Sequence, residues 1–154
     1  MSESLAEFFL DNFRARSREC AYRQCRGYRM ESLAYGDVLD LAARFAAELD
    51  ARKIAKGDRI MLWGANGAEW VAAFFGCTLR GVVVVPMDDG ASLDFAARVA
   101  QQVQARLWVA SRAHGKELKS GAAPLLELEA LPETLSGRAA AHAAGAPAIT
   151  RSDI

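Results

Sequence analysis

The stretch from residue 58 to residue 86 most constrains what this chain can fold into. Residues 59–63 form a short apolar run with β character, residues 67–80 follow a helical pattern, and residues 81–85 form a second apolar run with four valines. Because the connections are short, the pattern predicts a βαβ unit with parallel strands and a right-handed crossover. A valine run without alternation is typical of a strand that is buried on both faces.

The helix of this unit is apolar almost all round. Trp70, Phe74 and Cys77 share one face, and three more apolar side chains widen it, namely Val71, Phe75 and Leu79. A helix of this kind needs cover from more than one side. We therefore predict that the unit forms the interior of an α/β assembly.

The remaining elements are predicted from periodicity and turn residues. Helical spacing marks three further segments: residues 4–16, residues 36–51 and a stretch from the N-cap Ser92 to about residue 104. β character marks three others: a hairpin over residues 20–35, a strand over residues 106–110 and a short edge strand over residues 125–128. The order predicts a doubly wound α/β fold, with a parallel core of three to four strands after an N-terminal helix and a β-hairpin.

The pattern weakens towards the C-terminal end of the chain. From Pro132 onward the sequence is rich in alanine, glycine and polar residues, and it offers no helical face that would be buried. We expect residues 1–131 to form one α/β subdomain and residues 132–154 to be a linker or mobile tail.

Composition excludes several classes of function. The 154 residues carry 19 basic and 19 acidic side chains, so the net charge is zero and the basic stripe of a nucleic-acid-binding protein is missing. No apolar run reaches the ~18 residues of a membrane span, and the N-terminus carries acids where a signal peptide needs bases. Three cysteines and two distant histidines do not predict a metal site, and a reducing cytoplasm is the expected compartment.

Polar groups follow each of the first three predicted parallel strands. The turn at residues 64–67 contains two glycines and opens a helix, which indicates either a structural turn or a weak anion site. The acidic pair after the second strand is either part of a solvated loop or a metal or acid/base pair. The basic cluster after the third strand is either part of a solvated loop or a phosphate contact, since ligands often bind at the carboxyl ends of parallel strands. The pair is Asp88 and Asp89, and the cluster is Arg112, His114 and Lys116. We favour the structural interpretation of each, because the common phosphate-loop, dinucleotide and nucleophile-elbow motifs do not occur.

Four motifs nevertheless resemble, in order and spacing, the N-terminal part of the adenylate-forming (AMP-binding) acyl-CoA synthetase family. They are LAYGDVL at residues 33–39, KGDRI at residues 56–60, NGAEW at residues 66–70 and GVVVVP at residues 81–86. The agreement extends from about residue 31 to residue 111, and the AAFFGC run at residues 72–77 is most similar to the fatty-acid-activating branches. Each motif alone is weak, but four of them in order are specific.

The chain also departs from the family pattern. Ala34 stands where the family usually has threonine, and Met87-Asp88-Asp89 replaces a turn of the Leu-Asn-Pro type. The phosphate loop of the family would begin just after residues 152–154, and the adenine, ribose and C-terminal lysine motifs do not occur in this sequence. The resemblance therefore implies a fragment of a longer ligase, with no catalytic residue and no metal ligand in this chain.

What the whole ligase does is implied by the resemblance alone. Members of the family bind ATP, Mg²⁺ and a carboxylic acid, form an acyl-adenylate with release of pyrophosphate, and pass the acyl group to a thiol, usually that of coenzyme A. In some members the coenzyme A nucleotide lies near loops that correspond here to Asp89, Gly90, Arg112 and Lys116. We expect none of these cofactors to bind tightly to the 154-residue chain, which we predict to be inactive.

An interpretation of a different class stays open. A stand-alone, non-enzymatic α/β module that binds a nucleotide or a partner protein is the alternative, and a stop codon near Ile154 would favour it. If the chain is instead part of a ligase, surfaces meant for the missing parts are expected to be bare. They include some of the helix over residues 70–79, and contiguous apolar surface of this kind tends to self-associate.

Overall fold

The computed structural model describes residues 4–118 and 123–140. The helices in these ranges are α1 (Leu5–Ala15), α2 (Tyr35–Ala51), α3 (Ala68–Arg80), α4 (Leu93–Gln102), α5 (Arg112–Glu117) and α6 (Leu131–Thr134). The strands are β1 (Cys20–Arg26), β2 (Arg29–Ala34), β3 (Arg59–Trp63), β4 (Val83–Met87), β5 (Leu107–Ala110) and β6 (Leu125–Glu127). Among these helices, none has the length and apolarity needed to cross a membrane.

Two sheets are present in the described residues. β1 and β2 form an antiparallel hairpin, and the other four strands form a parallel sheet in the order β4-β3-β5-β6. The chain moves from β3 to its neighbour β4 through α3, and then returns through α4 to β5 on the other side of β3. The predicted doubly wound α/β fold, with its N-terminal helix and hairpin, is therefore confirmed.

The parallel sheet separates two apolar layers. Ile60 and Leu62 of β3 face one layer, which also contains buried side chains of α1, α2, α3 and α6. Met61 and Trp63 face the other layer, which β4, β5 and the α4 residue Ala96 complete. This alternation follows from the period of two along a strand. Because β3 is covered on both faces, it is the buried centre of the sheet.

The valine strand differs from its prediction in both position and burial. It begins at Val83, because Gly81 adopts a left-handed conformation that ends α3 and the Val82 amide donates to the Cys77 carbonyl at 3.0 Å. β4 is also the edge strand of the sheet, and Val83 is 47% exposed. The prediction of burial on both faces was therefore wrong for this strand. Its edge position also explains why Pro86, which has no amide hydrogen, is tolerated.

Residues 112–117 form a helix instead of the expected loop. Ser111 precedes α5 and its hydroxyl accepts a hydrogen bond from the His114 amide at 3.4 Å, which is the geometry of an N-cap. The helix has six residues and no buried side chain, so it leaves no apolar periodicity in the sequence. The predicted polar cluster after β5 is therefore present, but it is arranged on a helical turn.

The packed part of the chain extends beyond residue 131. Leu131 begins α6 and Leu135 directly follows it, and both are fully buried in the same apolar layer as α2. Two polar contacts to α2 hold the following residues, since Arg138 pairs with Glu48 at 2.6 Å and Arg44 donates to the Ser136 carbonyl at 2.9 Å. The first part of the predicted linker, as far as Arg138, is thus packed against the domain. Residues 141–154 lie outside the described residues, and the division at residue 131 otherwise stays a prediction.

Glu48 is the charged anchor of this contact. Its side chain is buried and accepts from Arg52 at 2.7 Å as well as from Arg138. Burial by itself raises the pKa of this carboxyl, but the hydrogen bonds and positive charges of the two arginines outweigh it, so the pKa lies below its ordinary value. Glu48 is therefore ionised at neutral pH and links α2 to the segment after α6.

Candidate functional site

A cleft of about 260 Å³ opens at the carboxyl edge of the parallel sheet. It is lined by Ala65, Gly67, Glu69, Trp70, Asp89, Ser111, Ala113, His114, Leu128 and Glu129. These residues follow β3, β4, β5 and β6. The chain adds β4 on one side of β3 and then β5 on the other side, so the strand order reverses at β3. Ligands of doubly wound folds bind at such switch points. The cleft is therefore the candidate functional site.

Asp89 and His114 form a polar pair at this cleft. Asp89 Oδ1 lies 2.9 Å from His114 Nε2, and the imidazole stacks on the Trp63 ring with the ring centroids 3.9 Å apart. Trp63 Nε1 donates to the Asp88 carbonyl at 3.0 Å, and Asp88 Oδ1 accepts from the Gly90 amide at 2.8 Å. The loop after β4 and the helix after β5 are thereby held together across the end of β3.

The four residues predicted to lie near a coenzyme A nucleotide are divided by the structure. Asp89 lines the cleft, whereas Gly90, Arg112 and Lys116 do not. Arg112 Nε donates to Glu127 Oε2 at 3.1 Å, and its amide donates to Glu129 Oε2 at 2.8 Å, so this guanidinium is drawn towards β6. Lys116 is exposed on α5. The nucleotide assignment stays a prediction.

Glu69 and Trp70 form the opposite wall of the cleft, and sequence reasoning assigned them only to the helix dipole and to packing. Glu69 is 8% exposed and forms an ion pair with Arg26 of the hairpin. Gln24 of the hairpin accepts from the Ala68 amide at 3.1 Å. The NGAEW motif was a signal for this wall. No sequence signal indicated the hairpin partners Gln24 and Arg26, because they are distant from this motif in the sequence.

The turn at residues 64–67 is fixed by close packing. A Cβ atom on Gly64 would lie 2.8 Å from Leu128 Cδ1 and 3.3 Å from the Ser111 amide nitrogen, so the backbone there has no room for a side chain. This supports the structural interpretation of the first glycine. Ser111 and Glu129, which also reach the cleft, were not predicted as site residues.

The charge of the cleft limits its chemistry. Its ionisable side chains are Glu69, Asp89, His114 and Glu129, with no lysine or arginine in the lining, and Glu69 pairs with Arg26 of the hairpin. Within residues 4–118 and 123–140, no cluster of three or more His, Cys, Asp or Glu side chains is arranged to hold a metal ion. Complete burial raises the pKa of the Cys77 thiol, which therefore stays protonated and belongs to the core. The cleft suits binding through hydrogen bonds and an aromatic face.

The fold and the cleft together define a doubly wound α/β domain with a candidate ligand site at the switch point of the sheet. A family model described as "AMP-binding enzyme" matches residues 12–150, which is most of the chain. The chain belongs to this family.

Similar proteins agree with this membership. A protein described as probable CoA ligase CCL6 from Humulus lupulus is 33% identical over 57 residues, which cover 37% of this chain and 9% of that protein. The fatty acyl-adenylate ligase from L. pneumophila, solved with acyl adenylate and pyrophosphate, matches with a TM-score of 0.82 at 23% identity and covers 100% of this chain. VinN in complex with L-aspartate matches with a TM-score of 0.80 at 26% identity and covers 97% of this chain. The chain spans 27% and 42% of the lengths of these two solved chains.

Proposed function

We propose that this chain is the N-terminal α/β portion of an AMP-forming carboxylic acid–CoA ligase. The observation that carries the proposal is the AMP-binding family match over residues 12–150, and the similarity to solved adenylate ligases supports it. In the whole ligase, a carboxylate oxygen of the acid attacks the α-phosphorus of ATP and pyrophosphate leaves. The thiol of coenzyme A then takes the acyl group and AMP leaves.

In this proposal the 154-residue chain supports the reaction without performing it. Adenylation requires a cradle for the triphosphate and positive charge at the phosphorus under attack. The carboxylates of the cleft do not fit an anionic triphosphate, and Arg112 is paired with Glu127. The implied ATP and Mg²⁺ are therefore assigned to other parts of the ligase.

Coenzyme A fits the predicted residues only in part. The exposed Lys116 and the Gly90 turn support a contact with nucleotide phosphates outside the cleft, whereas the Asp89 carboxylate opposes one inside it. We propose that this nucleotide lies near Asp89, Gly90, Arg112 and Lys116, with the lysine as its main electrostatic contact.

The identity of the acid and the cellular compartment are further parts of the proposal. The name of the L. pneumophila neighbour supports a fatty acid, whereas the complex of VinN with L-aspartate supports a wider choice. A cytoplasmic location is supported by the cysteines of the described residues, Cys20, Cys25 and Cys77, which are all free.

ATP–pyrophosphate exchange tests the proposed activity. We expect no exchange by the 154-residue chain with fatty acids, aromatic acids or amino acids, and acid-dependent exchange by the product of the complete coding sequence. Exchange by the 154-residue chain would contradict the supporting role. A folded complete product that is inactive with every acid would contradict the ligase. A coding sequence that ends at Ile154 would favour the stand-alone module.

Self-association of the 154-residue chain is also proposed. The large side chains expected to be bare on α3, such as Trp70 and Phe74, are half-buried, and exposed apolar side chains lie on other elements, among them Leu5 (55% exposed) and Phe8 (57% exposed) on α1. We expect light scattering to show a molar mass that rises with concentration, and the variant Phe8→Ser to reduce this rise. A monomer at high concentration would exclude the proposal.

A further inference from the structure

The β1–β2 hairpin is not hydrogen-bonded into the parallel sheet. A two-stranded hairpin is marginally stable by itself, so its contacts with the rest of the domain determine its position. Along β1 the residues alternate, with Arg23 and Cys25 exposed while Gln24 and Arg26 are partly buried. Gln24 and Arg26 both contact the first turn of α3.

Gln24 caps α3 from outside the helix. The N-cap residue of α3 is Gly67, which has no side chain to accept a hydrogen bond from the first amides. Gln24 Oε1 accepts from the Ala68 amide at 3.1 Å, and Gln24 Nε2 lies 3.5 Å from both carboxylate oxygens of Glu69. The hairpin thus provides the cap that the local sequence does not.

Arg26 neutralises the buried carboxylate of the same turn. It forms an ion pair with Glu69, and its Nε lies 2.6 Å from Glu31 Oε2 on the neighbouring strand β2. Because Glu69 is almost fully buried, loss of its positive partner would leave an uncompensated charge in the wall of the cleft. Glu31 thus brings a second carboxylate to this guanidinium from the hairpin side, as an ion pair without a hydrogen bond at Nε.

We propose that the hairpin acts as a clamp on the cleft, in which Gln24 and Arg26 are positioning residues that fix the wall formed by Glu69 and Trp70. In this clamp, the polar side chains of Gln24 and Arg26 on the two-stranded sheet contact Glu69, which lines the cleft. It predicts that changes in the hairpin alter the cleft wall while the opposite wall, formed by Asp89 and His114, keeps its geometry. The proposal does not depend on the ligase activity.

Fluorine NMR of the fluorotryptophan-labelled chain tests the clamp, because the three tryptophans report on different regions. Trp70 lies in the clamped wall, whereas Trp63 and Trp108 pack on the other face of the sheet. We expect Arg26→Ala to shift or broaden the Trp70 resonance beyond its linewidth and to leave the other two unchanged. Arg26→Lys, which keeps the charge, should restore most of the wild-type position.

Two results would overturn the clamp in this experiment. One is an unchanged Trp70 resonance in folded Arg26→Ala. The other is an equal change of all three resonances, which would show that the hairpin contributes only to general stability. Arg44→Ala is the matched control, because Arg44 pairs with Asp40 and donates to the Ser136 carbonyl, neither of which lines the cleft, and it should leave Trp70 unaffected.

Amide hydrogen exchange separately tests the contact between Gln24 and the Ala68 amide. Gln24→Leu keeps the approximate size of the side chain and removes the acceptor, so we expect the Ala68 amide to exchange about fivefold faster, the usual effect of losing an N-cap. The Phe95 amide, which donates to Ser92 at the start of α4, is the internal reference and should not change. Unchanged exchange at Ala68, or equal acceleration at both amides, would contradict the clamp.

Discussion

Gly76→Val is expected to lower the free energy of unfolding by about 3 kcal/mol, at the upper end of the usual cost of overpacking a core. Gly76 lies in the middle of α3 where that helix approaches α2. A Cβ atom at this position would lie 2.7 Å from the Ala42 carbonyl oxygen and 2.8 Å from Phe45 Cδ1. Both neighbours are fully buried, and the nearer atom belongs to the backbone. Neither can move aside without separating the two helices.

Urea denaturation followed by circular dichroism measures this effect. Gly137→Ala is the matched control, because a Cβ atom at Gly137 meets no other atom within 4 Å, and its unfolding free energy should stay within about 0.5 kcal/mol of wild type. If Gly76→Val unfolds at the wild-type urea concentration with an unchanged slope, α2 and α3 do not pack as closely at Gly76 as in this structure.

Leu135→Ala is expected to lower the free energy of unfolding by about 2–5 kcal/mol, the range for truncating a fully buried leucine. Leu135 follows α6 and is fully buried in the apolar layer that also contains Phe45 and Leu49. Its side chain lies in a segment that the sequence predicted to be a linker. The loss of stability combines the lost burial of the side chain with the cavity that remains.

Leu5→Ala is the control for this measurement, because the same chemical change at an exposed position of α1 should cost less than about 1 kcal/mol. Denaturation of both variants under identical conditions gives the comparison. Equal costs at the two positions would support the original boundary at residue 131, whereas a larger cost at Leu135 places the boundary after this residue.

The sequence predicted the edge of the sheet at which the candidate site lies. Asp89 and His114 follow β4 and β5, and parallel strands bring their carboxyl ends to one edge, so their proximity could be anticipated. The sequence could not show that His114 stacks on Trp63, or that Arg112 turns towards Glu127. These orientations depend on the short helix α5, whose exposed residues carry no periodic signal.

The opposite wall of the cleft shows the limit of local information more clearly. Glu69 was interpreted as a residue that serves the helix dipole, which its position in the first turn of α3 allows. Its actual partner, Arg26, lies in a hairpin that also has a polar, surface-like sequence. Nothing in either segment identifies the other, because an ion pair between distant residues leaves no spacing pattern in the chain.

Taken by itself, the sequence determined the order of helices and strands, the parallel crossover and the membership of the AMP-binding family, since periodicity and short motifs are properties of contiguous residues. Only the tertiary structure decided that β3 is central and the valine-rich β4 is at the edge, that Leu135 belongs to the core, and that the hairpin holds the cleft wall. The physical reason is that apolar patterning indicates how much surface a segment buries. Which groups cover that surface is determined by packing between segments distant in sequence.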